Sequence, residues 1–149
     1  MTCMHTLRNI SLIAYALMAL SLVALVPLHA LFSTNPLVIG CQVLAVALLL
    51  WARITFGWRS FRVAATPSGG GLVMTGPYRY IRHPIYASIW LLGWAGILAH
   101  WSFRPVLCGT GLVCAGLVRM FCEEKLVSER YPEYAEYARR TWRMVPYVF

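Results

Sequence analysis

Four long apolar runs, separated by short polar connections, are the feature that most constrains this fold. They cover residues 10–32, 36–51, 84–100 and 105–121, and each is close to the ~20 residues that a helix needs to cross ~30 Å of hydrocarbon. Only 12% of the residues are charged and 60% are hydrophobic, which leaves too little polar surface to coat a soluble globule. The sequence therefore predicts an all-α fold, a polytopic membrane bundle of four transmembrane helices in a single domain, residues 1–149.

Two smaller elements follow from the spacing of apolar residues near the end of the chain. The third and fourth runs are joined only by residues 101–104, so we expect a tight helical hairpin there. Beyond it, apolar residues recur at helical spacing with Pro132 interrupting them: Val127, Tyr131, Tyr134, Ala138 and Trp142. This stripe predicts a C-terminal amphipathic helix on the membrane surface, which could also cover a pocket.

The first apolar run has two interpretations. Arg8 precedes it and small residues follow it, as in a secretory signal. The run is longer than the apolar core of a usual signal, about 7–15 residues, and Leu28-His29-Ala30 is a poor small-x-small cleavage site. We therefore expect a retained first helix.

The basic residues lie on one side of this predicted topology. Arg8, the five arginines at 53–82 and the basic residues at 119–143 share one side, whereas Arg104 lies opposite. By the positive-inside rule, this asymmetry predicts a multi-pass integral protein with both termini in the cytoplasm, and we expect it in a bacterial inner membrane. The net charge of +8 then serves orientation and attraction to anionic membrane lipids rather than binding of nucleic acid.

The segment GPYRYIRHPIY places polar residues between the second and third runs. Proline is favoured at the first position of a helix, so Pro84 starts the third helix and leaves His83 at the N-cap. There the ring of His83 and the N–H groups of the first turn can face a polar ligand. A simple capping role is the alternative, but the neighbouring Tyr78, Arg82 and Tyr86 favour a site. A glycine-rich cluster at 66–71 allows either close approach to a ligand or a plain flexible loop.

Negative charge is confined to residues 123–136, which hold all five glutamates. Glu123 and Glu124 adjoin the fourth apolar run, where burying an unpaired carboxylate costs on the order of several kcal/mol of free energy. Arg119 lies four residues before Glu123, so the two share one helix face. A purely structural ion pair is an alternative that this spacing leaves open.

The two polar motifs together resemble a known family. GPYRYIRHPIY, an apolar hairpin and then EEKLVSERYPEYAEYARRTWRMVP are similar to the isoprenylcysteine carboxyl methyltransferase and phospholipid methyltransferase family of membrane enzymes. The resemblance covers roughly residues 72–146. It implies S-adenosyl-L-methionine in a cytosol-facing pocket formed by about residues 70–146, and a tunnel towards the bilayer that admits a lipophilic small molecule or lipid.

The resemblance also implies roles for particular residues. Arg119 and Glu123 match the catalytic residues, and Arg119 also matches the arginine that binds the acceptor. The acceptor would carry a carboxylate, an amine or a thiol, and only a protonated acceptor requires a base. Ser88 departs from the glycine that the family often has two residues after the tyrosine. The matching cofactor-binding residues are Leu72, Val73, Tyr78, His83, Pro84, Ile85, Tyr86 and Glu123.

Two other hypotheses stay open. The RHP segment and Val145-Pro146-Tyr147 are also similar to NADPH-dependent reductases of sterols or other isoprenoids, although the chain has no GxGxxG motif. In a non-enzymatic membrane protein, Arg119 and Glu123 would only stabilise helix packing. A metal site is not predicted, because the five cysteines form no CxxC pair.

Overall fold

A computed structural model describes residues 2–57 and 71–149. Within these ranges, the chain forms helices and no strand, which confirms the predicted all-α class. A short 3-10 helix, Gly76–Arg79, precedes the third long helix. Except for Gly71, the glycine-rich cluster predicted at 66–71 lies outside the described residues. The helices are α1 (Thr2–Ala24), α2 (Pro36–Phe56), α3 (Pro84–Ala99), α4 (Phe103–Arg130) and α5 (Tyr134–Arg140).

Three of these helices are long and apolar enough to cross a membrane: α1 over Met4–Ala24, α2 and α4. α3 is apolar but has only 16 residues, so the fourth span stays a prediction. Large apolar side chains are exposed along α2, including those of Leu37 and Ile54. Extended apolar surface of this kind suits contact with lipid rather than with water.

The first helix ends earlier than the apolar run that predicts it. α1 stops at Ala24, although the apolar run continues to Phe32, because Pro27 has no N–H to continue the helix. The chain turns instead, with Ala30 N donating to Leu25 O at 3.0 Å. This turn packs closely on α3, where a Cβ at Gly96 would collide with the main-chain oxygens of Ala30 and Leu31.

The helices pack in two pairs, with α4 mainly against α1 and α3 mainly against α2. α1 and α4 are antiparallel: Ser11, in the first half of α1, contacts Arg119 in the second half of α4, while Ser21, near the end of α1, lies beside Gly111. Between α3 and α4, the side chain of Trp94 packs on Gly109. The contact between α3 and α4 is the smaller one, so the tight hairpin stays a prediction.

The C-terminal part folds back over the start of α3. Pro132 follows the end of α4 at Arg130, as expected for a residue that cannot continue a helix, and the short α5 comes next. The last residues, 141–149, then run beside the polar loop before α3. Arg82 N donates to Trp142 O at 2.7 Å, and His83 N donates to Arg143 O at 2.8 Å. The predicted amphipathic stripe is therefore divided, with Tyr134 buried in α5 and Trp142 partly exposed beyond it.

Candidate active site

Three side chains meet in a buried triad, Tyr86 of α3 with Arg119 and Glu123 of α4. The Tyr86 hydroxyl donates to Glu123 Oε1 at 2.8 Å and accepts a hydrogen bond from Arg119 Nε at 2.7 Å. Arg119 Nη2 lies 2.9 Å from the same carboxylate oxygen. The Arg119 side chain is 5% exposed and that of Glu123 is 22% exposed, so the carboxylate is the charged group of the triad that is more accessible to a ligand.

Arg119 also binds the first helix. Its Nη1 donates to the main-chain oxygen of Ser11 at 3.0 Å, and its guanidinium lies 4.6 Å from the centre of the Tyr15 ring. A cation over an aromatic face is attracted by the ring's negative face. Contacts with α1, α3 and Glu123 therefore fix the guanidinium in one orientation.

A second cluster surrounds Glu124 and joins the two sequence motifs again. Its Oε1 lies 3.1 Å from Arg82 Nε and 3.2 Å from His83 Nε2. Its Oε2 lies 3.2 Å from Arg143 Nε. We call this group the Glu124 cluster: Glu124, Arg82, His83 and Arg143. One carboxylate thus pairs with two guanidiniums, and it also contacts the ring of His83 at the start of α3.

Arg82 links the Glu124 cluster to the C-terminal part of the chain. Its Nη1 donates to Ala138 O at 2.9 Å and also to Thr141 O. Main-chain hydrogen bonds from Arg82 to residue 142 and from His83 to residue 143 join the same two segments. These hydrogen bonds therefore hold the loop before α3 against residues 138–143. One arginine can make several of them because a guanidinium has five N–H donors in a fixed plane.

Tyrosines line the same side of the site. The Tyr137 hydroxyl donates to Tyr78 O at 2.7 Å, and the Tyr78 ring packs on Phe56 with centroids 5.4 Å apart. Burial raises the pKa of Tyr137 to about 12, an effect that nearby Arg82 partly offsets. Burial also raises the pKa of Tyr78 well above its ordinary value, and the charge of Glu123 adds to that increase.

His83 lies at the N-cap of α3, as the sequence predicts, but it does not cap the helix with its side chain. Its ring binds Glu124 and lies 5.5 Å from the Tyr86 ring, centroid to centroid. Pro84 is fully buried at the first helical position. The structure thus places His83 and Pro84 directly beside the triad.

The remaining residues with predicted roles in cofactor binding are less closely tied to the triad. Ile85 is half-buried, and its main-chain oxygen accepts a hydrogen bond from Ser88 Oγ at 2.7 Å. The serine hydroxyl is thus satisfied within its own helix, so Ser88 is accommodated where the family often has glycine. Leu72 and Val73 are half-buried residues outside any helix, and their contact with a cofactor stays a prediction.

Some residues at the site were not assigned to it from the sequence. Ser11 and Tyr15 lie in an apolar run whose periodicity does not show which face meets α4. Arg143 lies 19 residues after Glu124, and nothing in that spacing indicates a contact. Glu124, in contrast, belongs to the polar cluster that the sequence predicts as part of the site, but its position does not indicate that Arg82, His83 and Arg143 are its partners.

Comparison with known proteins identifies the family. The family model of phospholipid methyltransferases matches residues 32–134, which is more than half of the chain. The chain therefore belongs to the phospholipid methyltransferase family of membrane proteins, in agreement with the resemblance carried by its two motifs. No solved structure matches it.

Two similar proteins are named for metal resistance. The cobalt-zinc-cadmium resistance protein CzcN of Cupriavidus metallidurans is 29% identical over 117 residues, which are 75% of this chain and 50% of that protein. The nickel-cobalt-cadmium resistance protein NccN of Alcaligenes xylosoxydans xylosoxydans is 29% identical over 113 residues, 72% of this chain and 52% of that protein. The chain thus spans about half the length of these relatives. Within residues 2–57 and 71–149, no group of three or more His, Cys, Asp or Glu side chains could hold a metal ion.

Proposed function

We propose that this protein is an S-adenosyl-L-methionine-dependent methyltransferase that acts on a small lipophilic acceptor at the cytosolic face of the membrane. The observation that carries the proposal is the buried triad. Tyr86 and Glu123 come from the two motifs and lie 37 residues apart in the sequence, yet they share a hydrogen bond beside a buried arginine. Family membership supports the reaction type, and the triad supports the position of the site.

The side chains beside the triad suit the charges of this cofactor. S-adenosyl-L-methionine carries an ammonium and a sulfonium, which need acceptors, and a carboxylate, which needs donors. The partly accessible carboxylate of Glu123 can accept from the ammonium. The N-terminus of α3, which has no side-chain cap, offers donors and a favourable dipole to the carboxylate. In this proposal, Tyr78, His83, Pro84, Ile85 and Tyr86 line the pocket, with Leu72 and Val73 at its edge.

When bound, the cofactor supplies an electrophilic methyl group for in-line transfer. Arg119 would orient the acceptor, because a guanidinium binds carboxylate or phosphate oxygens in a fixed geometry. A carboxylate acceptor already has the lone pair that forms the new bond and has no proton to lose. An ammonium would first have to give up a proton, for which Glu123 is the nearest base in the triad. Proximity and alignment would supply much of the rate, up to about 7–11 kcal/mol of the barrier.

The position of the proposed site also defines how we propose the protein is oriented in the membrane. The Glu124 cluster and the exposed Arg139 and Arg140 would face the cytoplasm, with both termini on that side of a bacterial inner membrane. Residues 1–149 would then form a single domain with four spans, in which about residues 70–146 bind the cofactor. The lipophilic acceptor would reach Arg119 from the apolar side of the triad.

Calorimetric titration of the purified protein in detergent tests the proposal. S-adenosyl-L-methionine and S-adenosylhomocysteine should bind saturably to the parent protein and lose affinity in Glu123→Gln. Glu136→Gln, the same change at an exposed glutamate, should bind both like the parent. Binding of NADPH alone would instead indicate a reductase. No binding by a parent protein that unfolds cooperatively would support a structural role for the Arg119–Glu123 pair.

A further inference from the structure

Residues 144–149 form a compact hook that packs against the helices on one side and is exposed on the other. Met144 N and Val145 N both donate to Phe149 O, at 2.7 and 2.9 Å, and Phe149 N donates back to Val145 O at 3.0 Å. Met144 is buried in the same core cluster as Met120 of α4, and Phe149 packs against that cluster. The hook is therefore a packed part of the fold.

The outer side of the hook exposes aliphatic and aromatic side chains. Tyr147 is 87% exposed and Val148 is 76% exposed. The ring of Tyr147 lies beside that of Trp142, with centroids 5.6 Å apart, and Trp142 is exposed as well. Tyr147 has a φ of 66°, a left-handed conformation that a residue other than glycine keeps only where its surroundings impose it. The fold thus holds a paired tryptophan and tyrosine at its surface.

The hook lies at the level where α4 changes from apolar to charged. The guanidinium of Arg143, the residue before the hook, is 5.2 Å from the centre of the Phe121 ring, and its Nε is 3.2 Å from Glu124 Oε2. Phe121 ends the fourth apolar run, and its side chain is exposed, like that of Val118 one turn earlier. Glu124 lies one turn further along α4. Arg143 therefore contacts both sides of the boundary between lipid-facing surface and polar surface.

This exposed surface differs from the amphipathic stripe that the sequence predicts on the membrane. In that stripe, Tyr134 is buried, and Tyr131 and Ala138 are half-buried. Their side chains face the protein to a large extent, whereas Trp142 is exposed next to the hook. The apolar surface at this end of the protein is therefore that of Trp142 and the hook.

We propose that Trp142 and the hook form a membrane anchor, which inserts their exposed side chains into the head-group region of the lipid bilayer. Tryptophan and tyrosine are enriched at this depth because each combines an apolar ring with a polar group. In the adjoining Glu124 cluster, two guanidiniums face one carboxylate, and this surplus of positive charge suits lipid phosphates.

The anchor is joined to the candidate site, because His83 N donates to Arg143 O at 2.8 Å. It therefore holds the loop before α3 close to the membrane surface. This inference concerns an interaction surface and does not depend on the methyltransferase activity proposed above.

Photo-crosslinking in nanodiscs of phosphatidylcholine and phosphatidylglycerol tests the anchor. The photoreactive amino acid p-benzoylphenylalanine takes the place of Tyr147 or of Val148 in the full chain, and lipid adducts are quantified by intact mass after irradiation. Val145, which is also exposed, replaces either position if the first change prevents folding. The same amino acid at Ile54, exposed on α2, is the lipid-facing control, and at Glu136, exposed on α5, it is the control on a polar surface.

We expect the yield of lipid adducts at Tyr147 and Val148 to be at least about 5-fold higher than at Glu136, because lipid surrounds side chains at head-group depth. The yield at Ile54 should be similarly high. Yields at both hook positions no higher than at Glu136 would overturn the anchor. Adducts with a second copy of the protein instead of lipid would also overturn it, because they would make this surface a contact between protein chains.

Discussion

Arg82 and Glu124 lie 42 residues apart in the sequence, yet Nε of the first is 3.1 Å from Oε1 of the second. Both side chains are largely buried, with 8% and 13% of their surface exposed. Arg82 also binds main-chain oxygens at residues 138 and 141. This single pair therefore joins the start of α3, the end of α4 and the C-terminal part of the chain.

Glu124→Gln should destabilise the protein by about 3 kcal/mol or more. The substitution preserves the size of the side chain but leaves Arg82 and Arg143 without their anion, and a buried charge without its partner is costly. The measurement is the free energy of unfolding in detergent. Glu136→Gln removes the partner of Arg140 in an exposed pair and should cost at most about 1 kcal/mol. Equal losses in the two variants would contradict a structural role for the Glu124 cluster.

Tyr86→Phe and His83→Ala should both weaken binding of S-adenosyl-L-methionine. Tyr86→Phe removes one hydroxyl from the triad, so we expect a loss of about 3- to 10-fold. His83→Ala should lose more, because it removes a ring that packs on Tyr86 and binds Glu124. His100→Ala, at the opposite end of α3, is the matched control. Parent-like affinity in both site variants would refute this position of the pocket.

Gly96→Ala should disrupt the contact between α3 and the turn after α1. The new Cβ would collide with two main-chain oxygens, those of Ala30 and Leu31, which cannot rotate away as a side chain can. We expect a loss of about 1–3 kcal/mol in unfolding free energy, the usual cost of overpacking. Gly40→Ala in α2 meets nothing within 4 Å and should be neutral or stabilise by about 0.5–1 kcal/mol. A stabilising Gly96→Ala would contradict the close packing of this turn.

Stability should fall in alkaline solution because of Tyr137. Its pKa rises to about 12 in the folded protein, against about 10 for an unperturbed tyrosine. The stabilisation from the neutral phenol is therefore fully present below pH 10 and is lost as the pH rises through 12. In this window Tyr137 should contribute up to about 1.4 kcal/mol per pH unit to the slope, in addition to the contribution of Tyr78, whose pKa is also raised.

Unfolding free energies measured between pH 8 and pH 12 check this expectation. Tyr137→Phe should be less stable than the parent at pH 8, because it loses the hydrogen bond to Tyr78 O, and should show a shallower decline above pH 10. Tyr80→Phe makes the same change at an exposed tyrosine and should follow the parent curve. A parent-like alkaline decline in Tyr137→Phe would show that the titrating group lies elsewhere.

The sequence alone determined the all-α class, the family and some local features, such as the start of α3. Apolar runs define helices in a membrane protein because each turn of backbone must pair its own polar groups where water is absent. Proline fixes helix boundaries through its missing N–H and its effect on the preceding residue, so His83 at the N-cap was predictable. The pairing of Arg119 with Glu123 was predictable as well, since residues four apart on a helix are neighbours.

Only the tertiary structure decided which helix faces meet. A nearly uniform apolar helix such as α1 gives no periodic signal for its packed face, so Ser11 and Tyr15 could not be assigned to Arg119 from their positions. Glu123 and Glu124 are adjacent and alike in sequence, but successive residues on a helix point about 100° apart. Glu123 therefore faces Tyr86 and Arg119, and Glu124 faces Arg82, His83 and Arg143. Local spacing fixes neighbours within one helix, while contacts between helices depend on how the whole bundle packs.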